Sequence, residues 1–181
     1  MKNLKMFMLI ILISFLITGC SGTSQNSESR FERVQKEIQD ENQLQAIKFE
    51  DNILPLNNSY LEYSNSFINY YKSVSKDQVN PDNLYDFTSV ALRYSDNFQD
   101  LALAYSKYVN TFKIPIFNEA VSLRKDEAHT LSQLFTQLAN GTNTGDRVET
   151  HDALNNILRL LDGIEHLNQN DIKLVEHYKT K

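Results

Sequence analysis

The chain has 181 residues and a formal net charge of −5, with 18 basic residues set against 23 acidic ones. This acidic balance argues against a nucleic-acid partner, because binding to a phosphate backbone depends on clustered lysine and arginine. A single cysteine excludes an intrachain disulfide and a zinc site built from several thiolates. Only five glycines are present, too few for the regularly spaced turns of a sheet-rich fold.

The first twenty residues have the organisation of a secretory signal. Lys2 and Lys5 precede an apolar run from Met6 to Ile17 that is interrupted only by Ser14. This run is shorter than the roughly 20 apolar residues that a membrane-spanning helix needs, and small residues follow it, as a signal cleavage site requires. The stretch Ile17-Thr18-Gly19-Cys20 resembles the lipobox of bacterial lipoproteins.

The resemblance implies that residues 1–19 are removed as a lipoprotein signal peptide and that Cys20 becomes the lipid-bearing first residue. The mature chain would then have 162 residues and, having lost two lysines and no acidic residue, a net charge of −7. That length is sufficient for one domain with its own core. Two or more acyl chains on Cys20 would make the attachment to the membrane effectively permanent.

The expected location is the cell membrane, with the chain facing outside the cytoplasm. Ser21 and Gly22 follow the cysteine, so the aspartate that retains lipoproteins in a Gram-negative inner membrane is, by the same resemblance, missing. The abundance of Asn, Lys, Ile and Tyr suggests an AT-rich genome and favours a Gram-positive host.

The mature chain is predicted to begin with a flexible spacer, residues 20–29, followed by a helical domain over residues 30–181. The spacer is small and polar in composition, as flexible linkers are. A weak helical pattern then runs through Phe31, Val34 and Ile38 and thins out in the polar stretch 39–45. Pro55 is expected to break or kink the helix that precedes it.

Three apolar seams, meaning lines of apolar residues at alternating three- and four-residue steps, predict helices beyond Pro55. Residues 75–80 are expected to form a loop, and Asn80-Pro81 a helix start. The first seam lies before this loop, and the second, which is the strongest, predicts one rod from Pro81 to Phe112. The third begins on a shifted face after Pro115. The seams consist of Leu56, Tyr60, Tyr63, Phe67, Tyr70 and Val74; of Leu84, Phe87, Ala91, Tyr94, Phe98, Leu101, Tyr105, Tyr108 and Phe112; and of Phe117, Val121, Ala128, Leu131, Phe135 and Leu138.

The change of phase at Pro115 indicates a turn near residues 110–115, which we favour over a sharp kink. Gly141 to Gly145 is predicted to be a loop, and Asp146 to start a last helix that continues to the C-terminus. Its apolar positions are Leu154, Ile157, Leu161, Ile164, Ile172 and Val175. The resulting fold class is all-α: an elongated antiparallel bundle of about four main helices with a kinked or frayed N-terminal segment.

Spacings typical of catalytic and metal sites are largely missing from the sequence. Asp126 and His129 stand three residues apart, as in helical di-metal proteins, but no second copy of this pair occurs. Neither an HExxH zinc motif, a nucleophile elbow nor a phosphate-binding glycine loop is present. We therefore predict a protein that is not an enzyme and that has no cofactor and no metal.

The tyrosines of the second seam allow a more specific hypothesis. Tyrosine is apolar at one end and polar at the other, and it is common at interfaces. Tyr94, Tyr105 and Tyr108 are the candidate interaction surface. The alternative is that these tyrosines belong to the boundary of the bundle's own core.

The sequence favours a membrane-tethered, non-catalytic envelope lipoprotein that acts as a protein-binding or adaptor module. The expected partners are the membrane, through the lipid on Cys20, and a protein of unknown identity. One alternative is a small-ligand or metal-binding lipoprotein that serves a transporter. A second alternative is an exclusion or immunity lipoprotein of a mobile element.

Overall fold

The structure is a computed structural model that describes residues 24–74 and 81–180. The predicted signal peptide, Cys20 with its lipobox, and the predicted loop 75–80 lie outside the described residues. The chain divides into two compact units, Met1–Asp40 and Glu41–Lys181. In the first unit, Phe31, Val34 and Ile38 are exposed along one side of a helix. The packing described below belongs to the second unit.

The described residues form five helices and no strand, which confirms the predicted all-α class. The helices are α1 Ser24–Val74, α2 Pro81–Ser106, α3 Pro115–Thr144, α4 Arg147–Asp162 and α5 Ile164–Lys179. Together α4 and α5 make one C-terminal helix that bends at Gly163. The second unit is therefore a bundle of four helical arms, as predicted.

Side-chain hydrogen bonds show that α1 and α2 run in opposite directions. The Tyr94 hydroxyl donates to Ser66 Oγ at 2.8 Å, and the Tyr105 hydroxyl donates to Asn57 Oδ1 at 2.7 Å. As the residue numbers increase along α2, those of the contacted residues decrease along α1. The two helices are therefore antiparallel, as expected of neighbours with a short connection.

Side-chain contacts also show that α3 packs against α2 and that α5 packs against α3. Ser95 donates to the carbonyl oxygen of Ser132 at 2.9 Å, near the middle of both α2 and α3. Arg124 pairs with Asp171, and the ring of Phe117 meets that of Tyr178 at 5.4 Å. Because 117 precedes 124 while 178 follows 171, α3 and α5 are also antiparallel.

Aromatic rings fill the bundle core in two layers. In one layer Phe67, Tyr94, Phe98 and Phe135 meet at centroid distances of 4.7 to 5.6 Å. In the other, Phe49 packs on Phe112 and Phe117 while Phe117 also meets Tyr178. These layers confirm the inward orientation predicted for the middle of the second seam and for the third seam, whose six members are all fully buried.

The predicted turn before Pro115 is confirmed, but the rod from Pro81 to Phe112 is shorter than predicted. Helix α2 ends at Ser106, and Asn110 adopts a left-handed conformation with φ of 61°. Asn118 closes the turn by accepting a hydrogen bond from the Phe112 backbone N–H at 3.0 Å and donating to its carbonyl oxygen at 2.7 Å. Phe112 is still buried, because the turn folds it back over the core.

Helix α1 is longer than predicted, and it is not broken at Pro55. The helix begins at Ser24, inside the predicted spacer, and it continues through the polar stretch 39–45 and through Pro55. Pro55 lies on the exposed side, so the Asp51 carbonyl that loses its helical donor can bond to water. Core side chains on either side of Pro55, including Phe49, Ile53 and Tyr60, hold the helix in place by packing. Tertiary packing thus outweighs the unfavourable effect of a proline inside a helix.

The predicted loop 141–145 is also largely wrong, since α3 continues to Thr144 and ends at Gly145 in the left-handed conformation, with φ of 72°. Gly141 is needed for close packing rather than for a turn, because a Cβ there would lie 2.7 Å from Thr150 Oγ1 and 2.8 Å from its backbone nitrogen. The predicted helix start at Asp146 is confirmed. Its carboxylate accepts hydrogen bonds from the backbone N–H groups of Val148 and Glu149.

A pair of glycine substitutions tests the packing role of Gly141. We expect Gly141→Ala to destabilise the bundle by about 1–3 kcal/mol, because the new methyl group would push against the backbone of Thr150. Gly163→Ala is the matched control: its φ of −86° suits alanine and its Cβ would meet nothing within 4 Å. Alanine at that position should raise stability by roughly 0.4–1 kcal/mol. Urea denaturation followed by circular dichroism measures both, and equal effects would contradict the packing role of Gly141.

Candidate functional site

A buried group of polar residues interrupts the apolar core between the two aromatic layers. We call Asn57, Tyr105, Arg124, Glu127 and Asp171 the polar layer. They come from α1, α2, α3 and α5, and three of them occupy inward positions on their helices because of spacing alone. Arg124 stands between Val121 and Ala128 on the third seam, Asp171 stands seven residues after Ile164, and Asn57 stands three residues before Tyr60.

Hydrogen bonds connect the polar layer from one side of the bundle to the other. The Tyr105 hydroxyl donates to Asn57 Oδ1 at 2.7 Å, and Asn57 Nδ2 donates to Asp171 Oδ2 at 2.8 Å. Arg124 donates to that same oxygen through Nη2 at 2.8 Å and through Nε at 3.2 Å. Its third nitrogen, Nη1, donates to Glu127 Oε2 at 3.2 Å. Four helical arms are therefore held in one register by a single chain of contacts.

Burial and neighbouring charges shift the pKa values of several groups in and beside the polar layer. Arg124 is 3% exposed and Asp171 6% exposed. Burial alone would lower the pKa of Arg124, but the Asp171 carboxylate beside it more than offsets this, so the guanidinium pKa is raised. Burial raises the pKa of Glu127 above its ordinary value. Burial also raises the pKa of the hydroxyls of Tyr60 and Tyr105, so both remain neutral.

A surface groove between α3 and α5, the α3–α5 groove, opens directly above part of the polar layer. It has a volume of about 340 Å³. Its walls are mainly aliphatic, and Ile116 and Leu123 on α3 are 43% and 49% exposed. The residues that line it are Ile116, Glu119, Ala120, Leu123, Arg124, Leu167, Asn170, Asp171 and Leu174. The groove thus combines an apolar wall with a charged floor formed by Arg124 and Asp171.

A second depression, of about 270 Å³, lies between α2 and α3. Thr88, Ser89, Leu92, Ala139, Asn140 and Asn143 line it. None of these side chains carries a charge, and only Leu92 among them is a large exposed hydrophobic residue. The α3–α5 groove is accordingly the better candidate for a specific site.

The predicted tyrosine surface is corrected by the structure. Tyr94 is 3% exposed and Tyr105 is fully buried, while Tyr108 is half-buried in the turn after α2. Tyr94 packs in the first aromatic layer and Tyr105 belongs to the polar layer. The alternative, that these tyrosines belong to the bundle's own core, therefore describes Tyr94 and Tyr105. Within α2 the seam places Tyr94 and Tyr105 in the core although both carry a hydroxyl.

The candidate metal pair does not form a ligand cluster. His129 is exposed and contacts two amide side chains, with Nδ1 at 3.3 Å from Gln99 Oε1 and Nε2 at 3.0 Å from Gln133 Nε2. Asp126 forms an ion pair with Lys125 on the surface. Within residues 24–74 and 81–180, no three His, Cys, Asp or Glu side chains are grouped so that they could hold a metal ion.

The side chains of the polar layer are engaged mainly with one another. The Arg124 guanidinium is engaged by two carboxylates, and the Asn57 and Tyr105 side chains bond to each other. Such a layer specifies how the helices align and presents one carboxylate, Asp171, to the groove. Sequence reasoning missed Arg124 and Asp171, although polar residues on otherwise apolar seams were the signal that could have revealed them.

No protein-family model, no curated protein and no solved structure matches this chain. Fold and site therefore define its class: an all-α bundle with a polar layer inside and an apolar groove outside. Across the described residues, no helix combines the length and the hydrophobicity that crossing a membrane would require.

Proposed function

We propose that this chain is a bacterial lipoprotein anchored through Cys20 outside the cytoplasm, and that its bundle is a non-catalytic module that binds a partner protein. The partner would dock on the α3–α5 groove. The observation that carries the proposal is the pairing of half-exposed aliphatic side chains on α3 with a buried ion pair at the groove floor. The lipobox resemblance of residues 17–20 supports the anchor.

The exposed aliphatic walls of the groove favour burial by a partner. Isolated exposed leucines are ordinary on protein surfaces, whereas grouped ones beside a concave surface mark interaction sites. Ile116 and Leu123 lie seven residues apart on the same side of α3, and Leu167 and Leu174 have the same spacing on α5. Covering an aliphatic side chain of this size stabilises a complex by up to about 1.5–3 kcal/mol.

The proposed anchor lowers the affinity that the groove needs for its partner. A domain held at a membrane meets other membrane-bound proteins at a raised effective concentration, so a modest groove affinity is sufficient. The net charge of −7 expected for the mature chain favours a protein partner over an anionic lipid surface, which would repel it.

Cross-linking in the native membrane tests the groove, with two leucine variants as a matched pair. Leu123→Glu places a charge on the groove wall, whereas Leu103→Glu places the same charge on α2, at a leucine that is similarly exposed, 53% against 49%. We expect Leu123→Glu to reduce the recovered partner at least tenfold and Leu103→Glu to leave it unchanged. Equal recovery with both variants, or equal loss with both, would contradict the groove as the docking site.

The anchor has its own test in the variant Cys20→Ala. We expect this variant to lose labelling by a fatty-acid probe and to accumulate as an uncleaved or released form. The physical reason is that its side chain lacks the thiol that carries the lipid. Labelling of the bundle variant Leu103→Glu, in which Cys20 is intact, should match that of the unmodified chain. Continued labelling of Cys20→Ala would disprove the lipobox interpretation.

A further inference from the structure

We propose that the α3–α5 groove binds an amphipathic helix that carries one basic side chain on its apolar face, and that this cation hydrogen-bonds to Asp171. The inference rests on the proposed function, since it names the chemistry of the partner that would dock there. Three observations support it: an oxygen of Asp171 without a donor, the excess of carboxylates around the groove floor, and the length and shallowness of the groove.

Asp171 has one oxygen that is fully engaged and one that is not. Asn57 Nδ2 and two nitrogens of Arg124 all donate to Oδ2. In the described part of the chain no hydrogen bond is formed to Oδ1. The residue is only 6% exposed, and it lines the groove. Because this oxygen belongs to a residue that lines the groove, it is free to accept a hydrogen bond from a donor carried by an occupant.

The charges around the groove floor favour a cation over an anion. Arg124 is the only basic residue in the lining, and it is shared between Asp171 and Glu127. Glu119 adds a further carboxylate to the lining, so two acidic side chains accompany the single guanidinium there. Basic residues of α5 such as Lys173 do not belong to the lining. A lysine or arginine at this point would meet an uncompensated negative charge, whereas a glutamate would be repelled.

The dimensions of the groove suit a helix better than a small molecule. Its walls run from Ile116 to Leu123 on α3 and from Leu167 to Leu174 on α5. Seven residues of helix span about 10 Å, so the groove accommodates about two turns of a third helix. Because the α3 wall residues are nearly half exposed, the groove is shallow and a small molecule would keep much of its surface in water. A helix lying lengthwise covers both walls with side chains one turn and two turns apart.

A set of three synthetic peptides tests the proposal on the purified bundle. Each peptide is a hydrocarbon-stapled amphipathic helix of about three turns with leucines on one face. The peptides differ at one central position of that face, which is Lys, norleucine or Glu. Norleucine matches the lysine stem in length without its charge. We expect the Lys peptide to bind about tenfold more tightly than the norleucine peptide, as one charge-assisted hydrogen bond would produce, and the Glu peptide to bind most weakly.

Variants of the bundle locate the cation contact. Asp171→Asn should remove the preference for Lys over norleucine, while Leu123→Glu should weaken the norleucine peptide and Leu103→Glu should weaken none of the three. Where Asp171→Asn does not fold, as judged by circular dichroism, the ratio of Lys to norleucine affinity on the unmodified bundle decides the question.

Each outcome of the peptide experiment has a distinct meaning. Equal binding of the Lys and norleucine peptides would overturn the role of Asp171, and no binding by any peptide would overturn the helical occupant. Sedimentation that shows the bundle forming a dimer through the groove, abolished by Leu123→Glu, would also overturn it by making a second copy the occupant. The proposed function fails separately, when cross-linking of the anchored chain shows no loss of partner on Leu123→Glu.

Discussion

The substitution Phe98→Asp should abolish the folded bundle. Phe98 is fully buried at the centre of α2, where its ring meets those of Tyr60, Tyr63 and Phe135 at 5.4 to 6.0 Å. Loss of the ring costs about 3–5 kcal/mol, and burying a carboxylate without a partner adds to that. The sum is comparable to the entire stability of a typical domain. Thermal melting followed by circular dichroism at the helix band measures the effect.

A surface leucine of the same helix is the control for Phe98→Asp. Leu103→Asp introduces the same charge five residues further along α2, at a side chain that is 53% exposed. Its midpoint should stay within a few degrees of the unmodified chain, because surface substitutions usually change stability by less than about 0.5 kcal/mol. A Phe98→Asp melting curve that coincided with that of Leu103→Asp would mean that the second seam does not form the core.

The second large effect is expected at the ion pair of the polar layer. Arg124→Ala should destabilise the bundle by roughly 3–5 kcal/mol, because the buried Asp171 and the half-buried Glu127 would be left without their cation. Urea denaturation gives the free energy of unfolding. Lys125→Ala, at the neighbouring position, removes only a surface pair with Asp126 and should cost less than about 1 kcal/mol.

A double variant distinguishes the cost of breaking the pair from its net contribution. Arg124→Met combined with Asp171→Leu removes both charges and keeps the space filled, so we expect it to regain most of the stability lost in Arg124→Ala. Glu127, whose pKa burial already raises, can then take up a proton. A double variant as unstable as Arg124→Ala would mean that the pair itself, rather than the avoidance of a lone charge, holds the helices together.

The same double variant also tests whether the polar layer contributes to peptide recognition. It should fold but lose the preference for the Lys peptide, because the carboxylate that the groove presents is gone. A polar layer is costly to build and is expected to be retained where it specifies alignment or binding. If the double variant bound the three peptides with unchanged preferences, the polar layer would have no part in peptide recognition by the groove.

Several features of the fold were predictable because they depend on local spacing. The second and third seams predicted the inward faces of α2 and α3, the change of phase at Pro115 predicted the turn, and Asp146 predicted the start of α4. These signals are local: a three- and four-residue repeat defines one face of a helix wherever that helix packs, and an aspartate caps a helix through its own neighbours.

The errors occurred where packing overrode local preference. Pro55 does not end α1, and Gly141 lies within α3 because Thr150 of the next helix comes too close for a side chain. Ile172 was predicted inward, but it is 39% exposed and Asp171 takes the inward position. Continuing the three- and four-residue spacing from Leu161 and Ile164 gives residues 168 and 171. The spacing therefore predicted an inward position for residue 171, but this was overlooked because Asn168 and Asp171 are polar.

The sequence by itself determined that this chain is all-α and bundle-forming, and its first twenty residues alone support the predicted lipid anchor. Only the tertiary structure decided which polar residues meet. Asn57 and Asp171 are 114 residues apart in sequence, and Arg124 lies between them, so no local pattern could bring the three together. The α3–α5 groove likewise exists only because α3 and α5 pack side by side. Composition and periodicity act along a helix, whereas a site of this kind forms across helices.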